Sequence, residues 1–383
     1  MKVVLVNTNS DIESGASRSL VILAKHLKNY CEKVLVVLPK KGSVEKLLQE
    51  NDVAYAIIRH SNTLWFKECE EKKIKWKIKD LLRYLTNIIA KLRMFILFRT
   101  YDVVHINALT TGIAAEVAEY MNKVCIWHFR EFMEEDLGIE FRNKRKAIKL
   151  IEAADCRIAI SQEVKNKYIK LIKKPINVIY NGVQEEQYYL ERNRAILQND
   201  QISILIPGRI SKYKGQKVLL QALQYLTDKI ELKYILKVVG SGDEDYTNEL
   251  KEYSENNFLN VEFVGYKKEM KAYYESADIV CICSRNEAFG RVVVEAMMAE
   301  CLVIGANAGG IKEIIQNEKN GLLFEPENHI ELANCLKNII QNRQLGRKYA
   351  QQGQKDAIQL YSSKTNAKNV FNLYEQTLNE RKM

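Results

Sequence analysis

The sequence predicts an α/β protein that contains two doubly wound parallel sheets, and three observations support this prediction. The chain of 383 residues is too long for one ordinary core, because domains commonly run about 100 to 200 residues. Short apolar runs rich in β-branched residues alternate with amphipathic stretches, which is typical of βα units in a parallel sheet. The alternation stops in a polar segment and then begins again, so we expect two domains of similar size.

The predicted strands are short apolar runs, each followed by a loop and an amphipathic stretch. In the first half of the chain they lie at residues 3–6, 33–38, 54–58, 102–106, 124–127, 157–160 and 177–180. In the second half they lie at residues 202–206, 234–239, 261–264, 279–282, 302–305 and 322–324. Helical sequence then closes the chain.

The boundaries follow from the change in composition between these two series. The first domain is predicted at 1–183, and the polar, charged stretch 184–200 is the best candidate for a linker region. The second domain is predicted at 201–361, and 362–383 is long enough for a separate closing helix.

Composition narrows the class of protein. Hydrophobic residues make up 47% of the chain and charged residues 28%, which is typical of a soluble globular protein. The eight cysteines lack the CxxC spacing of a zinc site and the density of a disulfide scaffold. The apolar run at the amino terminus is too short for a signal peptide, and no run of about 20 apolar residues occurs. We therefore expect a cytoplasmic protein.

The net charge of +10 is concentrated in one segment. Between Lys67 and Arg99, ten basic residues stand against four acidic ones and alternate with apolar side chains. This mixture suits an interfacial helix that docks on an anionic membrane surface, and the protein would then be peripheral on the inner face of the membrane. The alternative is an amphipathic helix packed on its own sheet with a solvated basic face.

Two carboxylates in the second half of the chain have a suggestive spacing. Glu287 falls in the loop after the strand 279–282, and Glu295 falls on a helix predicted at 290–299. At 1.5 Å per residue, Gly290 lies about 7.5 Å before Glu295, so the two carboxylates can bind different parts of one extended ligand. The free amides at the start of this helix favour an anion between them. The alternative is a pair of ordinary solvated glutamates.

Two cations follow the strand 202–206. Arg209 and Lys214 flank the predicted turn into a helix near Gly215, where they could hold a diphosphate. After the first strand of the chain, Gly15 and Ala16 are small enough to let the backbone approach a phosphate closely, although the GxGxxG spacing of a dinucleotide site is absent.

This combination resembles the retaining GT-B glycosyltransferases of family 4. The resemblance rests on Gly15 and Ala16, on Arg209 and Lys214 in the pattern GRxxxxKG, and on a run ending in ExFG with a second glutamate eight residues after the first. It extends over nearly the whole chain. It implies a GT-B fold, in which two Rossmann-like, doubly wound domains face a central cleft.

The resemblance also implies roles for individual residues. Glu295 would bind the ribose hydroxyls, and Arg209 and Lys214 the diphosphate. The donor sugar would lie on Glu287 and the amides of Phe289 and Gly290. Gly15 would approach the phosphates or the acceptor from the first domain. His128 would lie after a strand, near the reaction centre, although a structural histidine at a strand end is the alternative. The implied catalytic residues are His128, Arg209, Lys214 and Glu287, and the donor-binding residues are Gly15, Ala16, Arg209, Lys214, Gly265, Glu287, Ala288, Phe289, Gly290 and Glu295.

The acceptor side is less well defined. Arg130 and Glu131 open an unusually acidic segment, 130–136, which either lines an acceptor pocket or forms a solvated loop. Asp243 and Asp245 match the DxD pattern that holds a metal in other glycosyltransferases. They follow a glycine-rich turn and open a helix, so capping explains them. We therefore expect neither a metal nor a cofactor.

The expected function is transfer of a hexose or N-acetylhexosamine, with retention of configuration, from a nucleotide diphosphate sugar to a lipid-linked saccharide in cell-surface polysaccharide synthesis. UDP is the favoured nucleotide, and no nucleic acid partner is expected. One alternative is a nucleotide-sugar epimerase of the same architecture, which would isomerise the donor without an acceptor. The other is a basic membrane- or nucleic-acid-binding module, which would bind nucleic acid with strong salt dependence and ignore nucleotide sugars.

Overall fold

A computed structural model describes residues 1–12, 14–61, 65–66, 74–110, 112–133, 138, 140–192 and 196–383. The chain divides into two compact units, one formed by Met1–Gly182 with Ser363–Met383 and the other by Val183–Ser362. The stretch predicted as a linker therefore belongs to the second unit. The reason is that Leu197 is fully buried in the core of that unit, and its amide donates a hydrogen bond to Asp278 (2.7 Å).

The first unit contains a seven-stranded parallel sheet and a separate two-stranded ribbon. Its strands are β1 (Lys2–Val6), β2 (Lys33–Leu38), β3 (Tyr55–Ile57), β4 (Trp65–Phe66), β5 (Val103–Asn107), β6 (Val124–Phe129), β7 (Glu140–Phe141), β8 (Cys156–Ala159) and β9 (Asn177–Val178). The order in the large sheet is β3-β2-β1-β5-β6-β8-β9. The strand order reverses between β1 and β5, so the loops after these two strands flank the switch point of the sheet.

Helices cover this sheet because each presents an apolar stripe to it. They are α1 (Gly15–Leu27), α2 (Val44–Glu50), α3 (Ile74–Phe98), α4 (Ile113–Tyr120), α5 (Lys144–Ala153) and α6 (Gln162–Tyr168). The C-terminal helix, Ser363–Glu380, also belongs to this unit, because Val370 and Tyr374 lie in the same core cluster as Leu20 and Leu27 of α1. The predicted closing helix thus packs on the first unit.

The second unit contains a six-stranded parallel sheet. Its strands are β10 (Ile202–Pro207), β11 (Tyr234–Val239), β12 (Val261–Gly265), β13 (Ile279–Ile282), β14 (Leu302–Ala306) and β15 (Leu322–Phe324). The order is β12-β11-β10-β13-β14-β15, so the switch point lies between β10 and β13. These are the two strands after which the sequence places Arg209 with Lys214 and Glu287, respectively.

Eight helices and one 3₁₀ turn, Lys212–Lys214, belong to the described part of the second unit. The helices are α7 (Glu185–Tyr188), α8 (Gln216–Thr227), α9 (Glu244–Asn256), α10 (Lys271–Ser276), α11 (Arg291–Met298), α12 (Ile311–Ile314), α13 (His329–Gln341) and α14 (Arg343–Tyr361). Asp243 caps α9 by accepting a hydrogen bond from the amide of Tyr246 (2.9 Å), which confirms the capping role predicted for it.

Helix α3 accounts for most of the basic segment, whose residues 67–73 lie outside the described part of the chain. Ala90, Met94 and Phe98 are buried on its inner side. Over the ranges that the structure describes, no helix combines the length and the apolar character needed to cross a membrane.

Candidate active site

The loop after β13 presents Glu287 at the switch point of the second sheet. Strand β13 is fully buried, and the chain leaves it through Ser284, whose hydroxyl donates a hydrogen bond to Oε1 of Glu287 (2.8 Å). The loop ends at Gly290, where φ is +95° and a side chain would strain the backbone. Helix α11 begins directly after it, so the amides of its first turn face the loop.

Lys214 contacts Glu287, so two predicted site residues meet that follow different strands, β10 and β13. The Nζ atom of Lys214 forms an ion pair with Oε1 of Glu287. The contact depends on Gly215, where φ is +69° and a Cβ atom would lie 2.3 Å from the carbonyl oxygen of Cys283. The turn after β10 can therefore press against the end of β13. Both side chains remain partly exposed, so a ligand can reach them.

Arg209 lies two residues after the end of β10 and is exposed. Its carbonyl oxygen accepts a hydrogen bond from Nε2 of Gln216 (3.0 Å), which fixes the backbone at this point. Within the described residues, the guanidinium of Arg209 forms no ion pair. Its charge is therefore available to an anion at the switch point.

Glu295 lies one turn into α11 and is buried, with 8% of its surface exposed. Its Oε2 atom accepts a hydrogen bond from the hydroxyl of Tyr274 (3.0 Å), and Nη2 of Arg291 lies 3.4 Å from Oε1. The alternative of an ordinary solvated glutamate is therefore wrong for Glu295. Phe289 is buried as well, with its ring edge-to-face against Tyr361 at 5.9 Å between centroids.

Two glycines that the sequence reasoning missed hold this loop from the neighbouring strand. After β14, the amide of Gly310 donates a hydrogen bond to the carbonyl oxygen of Glu287 (2.7 Å). A Cβ atom at Gly309 would lie 2.4 Å from the same oxygen. The available signal was a Gly-Gly pair in the loop after a predicted strand.

Gly265 and Ala288 complete the predicted donor-binding residues of the second unit. Gly265 ends β12 with φ at +77°, and its carbonyl oxygen accepts a hydrogen bond from the amide of Gly240 (3.0 Å). Nothing lies within 4 Å of where its Cβ atom would be, so this edge is open. Ala288 is half-buried beside Glu287.

In the first unit, Gly15 and Ala16 form the first turn of α1. Ser14 caps the helix by accepting a hydrogen bond from the amide of Ser17 (3.4 Å). Gly15 is exposed, and no atom lies within 4 Å of where its Cβ atom would be. The backbone here is accessible, and the predicted contact to a phosphate stays a prediction.

His128 lies inside β6, not after it as the sequence suggested, because the strand continues to Phe129. The imidazole is fully buried, and its Nδ1 atom lies 3.2 Å from Nε2 of His105 and 3.2 Å from Nη2 of Arg130. Burial, then the charge of Arg130, lowers the pKa of His128 well below its usual value. The ring is therefore neutral at pH 7.

Arg130 is buried at the carboxyl end of β6, so the solvated-loop alternative is wrong for this residue. Its Nη1 atom donates a hydrogen bond to Oδ1 of Asn181 (2.5 Å), and its Nε atom donates to Oδ1 of Asn107. Glu131 is half-buried, and its carbonyl oxygen accepts a hydrogen bond from the hydroxyl of Tyr168 (2.9 Å). The acidic residues 134–136 lie outside the described part of the chain.

The chemistry at the switch point of the second sheet is that of a site for a phosphorylated, hydroxyl-rich ligand. Arg209, Lys214 and the amides of α11 supply positive charge, and Glu287 and Glu295 supply acceptors for hydroxyl groups. In the part of the chain that the structure describes, no three His, Cys, Asp or Glu side chains are grouped so that they could hold a metal ion.

The comparisons with known proteins agree with this arrangement. Residues 14–187 match the model of glycosyltransferase family 4, and residues 190–356 match the model of glycosyl transferases group 1. The structure is similar to that of HepE from Anabaena, solved in complex with UDP, with a TM-score of 0.80 over 98% of this chain and 100% of that one at 22% identity. The fold is therefore GT-B, with two Rossmann-like domains. The two matches together extend over nearly the whole chain, and the protein belongs to glycosyltransferase family 4.

Two relatives differ in how much of this chain they match. An uncharacterised glycosyltransferase of Methanocaldococcus jannaschii is 30% identical over 57% of this chain, and the match spans 59% of that relative's length. An α-1,4-N-acetyl-D-galactosaminyltransferase of Campylobacter jejuni is 23% identical over 85% of each chain. The name of that enzyme describes an acceptor saccharide carried on PP-undecaprenol.

Proposed function

We propose that this protein transfers a hexose or N-acetylhexosamine from a UDP-sugar to a lipid-linked saccharide, with retention of configuration and without a metal ion. The observation that carries the proposal is the contact between Lys214 and Glu287 beside the exposed Arg209, at the switch point of the second sheet. Cations for a diphosphate and a carboxylate for sugar hydroxyls thus lie next to each other, where a doubly wound sheet binds its ligand.

In the proposed reaction, the bond from the anomeric carbon to the diphosphate oxygen breaks, and negative charge develops on that oxygen. Arg209, Lys214 and the amides at the start of α11 stabilise this charge, because they are held in place before the reaction. The acceptor hydroxyl attacks from the same face, and its proton passes to the departing phosphate. Glu287 orients the donor sugar and Glu295 the ribose.

The buried side chains of the first unit have a supporting role in this proposal. His128 is fully buried and contacts Arg130 through Nδ1 (3.2 Å), so in this proposal it holds Arg130 in place, and its role near the donor sugar stays a prediction. Arg130 and Glu131 stay the candidates for the acceptor side, and Gly15 with Ala16 the candidates for a contact to phosphate.

The test is donor turnover in two variants. Arg209→Ala and Glu295→Ala should each lower UDP release from the donor, and each lost charge-assisted hydrogen bond costs about 1.5 to 3 kcal/mol, or about 10- to 150-fold. Unchanged turnover in both variants would overturn the proposal. A screen of UDP, GDP and their sugars by thermal shift, with and without EDTA, identifies the nucleotide, and strict dependence on a metal would contradict the metal-free mechanism.

An epimerase is distinguished by its products. Incubated with a UDP-sugar alone, an epimerase returns an isomerised nucleotide sugar, whereas a transferase returns the donor or slowly hydrolyses it.

The proposal of a lipid-linked acceptor rests on helix α3. Its outward face is apolar, which disfavours the alternative of a solvated basic face over the residues described. Leu85, Leu92 and Ile96 are 49%, 63% and 67% exposed and lie on one side of the helix at spacings of seven and four residues. The exposed large apolar side chains of α3 are Leu81, Leu82, Tyr84, Leu85, Ile88, Ile89, Leu92 and Ile96.

The exposed arginines and the small area of this face favour a membrane, and not a second protein chain, as its occupant. Arg93 and Arg99 are exposed along it, which suits anionic headgroups. The face from Leu81 to Ile96 is about 24 Å long and about 10 Å wide, or about 240 Å². A stable dimer buries about 800 Å² per partner, so this face alone is too small for one. Docking here would place the enzyme on the inner face of the membrane.

Vesicle flotation tests this part of the proposal. The protein should float with vesicles that contain phosphatidylglycerol, and the triple variant Leu85→Ser, Leu92→Ser, Ile96→Ser should bind at least about tenfold more weakly, since burying each side chain contributes about 1.5 to 3 kcal/mol. Phe258→Ser is the matched control, because Phe258 is exposed on the second unit. Equal flotation of the triple variant, dimerisation, or salt-dependent binding of RNA in place of vesicles would each reject membrane docking.

A further inference from the structure

Tyr274 is a buried residue next to Glu295 that lies outside the family motif. It lies on α10, is 0% exposed, and places its hydroxyl 3.0 Å from Oε2 of Glu295. The ring packs edge-to-face against Tyr188, with 6.0 Å between centroids. Nη2 of Arg192 donates a hydrogen bond to the carbonyl oxygen of Tyr274 (2.7 Å). Both the ring and the backbone of Tyr274 are therefore held in place.

The hydrogen bond has a fixed direction. Burial, then the nearby charge of Glu295, raises the pKa of Tyr274 well above its usual value, so the hydroxyl keeps its proton at any working pH. A carboxylate only accepts, so the hydroxyl donates to Oε2. The carboxylate of Glu295 is thereby prevented from rotating about its last side-chain bond.

The orientation of the Glu295 carboxylate matters for binding two neighbouring hydroxyl groups. A carboxylate offers about four lone-pair sites on its two oxygens, and two vicinal hydroxyls reach one oxygen each only when the carboxylate plane faces them. Tyr274 occupies one site on Oε2, and Arg291 approaches Oε1 at 3.4 Å. The remaining sites can accept both hydroxyls of a ribose.

We infer that Tyr274 is a positioning residue, which holds the carboxylate of Glu295 in the orientation that binds the 2′- and 3′-hydroxyls of a nucleoside diphosphate. This inference rests on the proposed function, because it requires Glu295 to bind ribose. Tyr274 itself does not touch the nucleotide.

The experiment compares two pairs of ligands in four proteins. The affinities of UDP and 2′,3′-dideoxy-UDP, and of the corresponding GDP pair, are measured by calorimetry for the wild type, Tyr274→Phe, Glu295→Ala and Tyr234→Phe. The wild type should prefer the ribose form, and Glu295→Ala should lose this preference. Tyr274→Phe should bind the ribose form about three- to tenfold more weakly and the dideoxy form as the wild type does.

Tyr234→Phe is the matched control. It also removes one buried tyrosine hydroxyl, but Tyr234 begins β11, at the end of the sheet opposite the site, and its hydroxyl oxygen accepts a hydrogen bond from the amide of Asn260 (3.3 Å). Both ligands should bind this variant as they bind the wild type. Melting curves establish that each variant is folded, and phenylalanine fills nearly the same volume as tyrosine.

The outcomes separate the two proposals. If Tyr274→Phe binds UDP as the wild type does, or weakens both ligands equally, Tyr274 does not position Glu295 and the inference is wrong, while the proposed function stands. If Glu295→Ala keeps the preference for ribose, the proposed role of Glu295 is wrong and the inference falls with it. If neither nucleotide pair binds the wild type, the proposed function itself is rejected.

Discussion

The substitution Gly310→Ala tests whether the turn after β14 sets the position of the loop that carries Glu287. At Gly310 the backbone φ is −70°, which any residue adopts, so alanine introduces no conformational strain. The new Cβ atom would lie 2.5 Å from the carbonyl oxygen of Phe289 and 2.6 Å from its Cα atom. The perturbation is therefore a clash with backbone that adds no charge.

The expected size follows from these distances. Non-bonded carbon atoms are comfortable at about 3.5 Å or more, so the loop must move by about 1 Å. Overpacking of this kind costs about 1 to 3 kcal/mol, and the lower entropy of the unfolded alanine variant offsets about 0.4 to 1 kcal/mol. A displacement of 1 Å at a catalytic group costs about 100-fold in rate. We expect a modest loss of stability and a much larger loss of turnover.

The assay combines thermal melting with UDP affinity and UDP release from the donor. Gly346→Ala is the control, because its Cβ atom would lie 2.7 Å from Cδ1 of Leu197 and 2.9 Å from Cγ2 of Ile339, both in the core. It should lose stability yet bind UDP normally. If Gly310→Ala kept wild-type turnover, or if both variants lost activity in proportion to stability, the assigned role of this turn would be refuted.

Three further predictions concern the dependence of stability on pH, the charge of Lys214 and the need for a metal ion. His105, whose pKa burial lowers to about 3, and His128 are neutral when folded, whereas the unfolded chain protonates them below about pH 6.5. The free energy of unfolding should therefore have its full value above that pH and fall as the pH drops towards 3, by up to about 1.4 kcal/mol per pH unit for each histidine. Urea titrations of the wild type and of His105→Phe at several pH values measure this. An equal dependence on pH in the two proteins would contradict it. Lys214→Ala should weaken UDP binding by about 10-fold or more and Lys214→Arg should weaken it less; no difference from wild type would exclude Lys214 from the diphosphate site. Treatment with EDTA should leave donor turnover unchanged, and loss of turnover that Mn²⁺ or Mg²⁺ restores would show that the enzyme needs a metal.

Local sequence patterns were sufficient to place most strands. Buried parallel strands appear as short apolar runs, and the runs at 33–38, 234–239, 279–282 and 322–324 match the observed strands at both ends. Local patterns are less informative where tertiary packing decides which residues are buried. The polar stretch 184–200 has the composition of a linker, yet Leu197 within it is buried in the second core.

The basic segment shows the same limit of prediction from local composition. Its sequence predicts a helix with both basic and apolar residues, and α3 is that helix. Composition cannot reveal which side faces the protein. In the structure Met94 and Phe98 face inward, while a second apolar stripe that includes Leu92 faces outward.

By itself, the sequence determined the class of fold, the order of the strands along the chain and the residues at the strand ends that carry charge. These features are local, because strand periodicity and the short loop after each strand are encoded within a few residues. Only the tertiary structure decided which of these residues meet. The pairing of Lys214 with Glu287, the hydrogen bond from Tyr274 to Glu295 and the contact of His128 in β6 with His105 in β5 join residues from different elements. Such contacts depend on strand order and on how closely two backbones approach, and neither can be read from spacing along one chain.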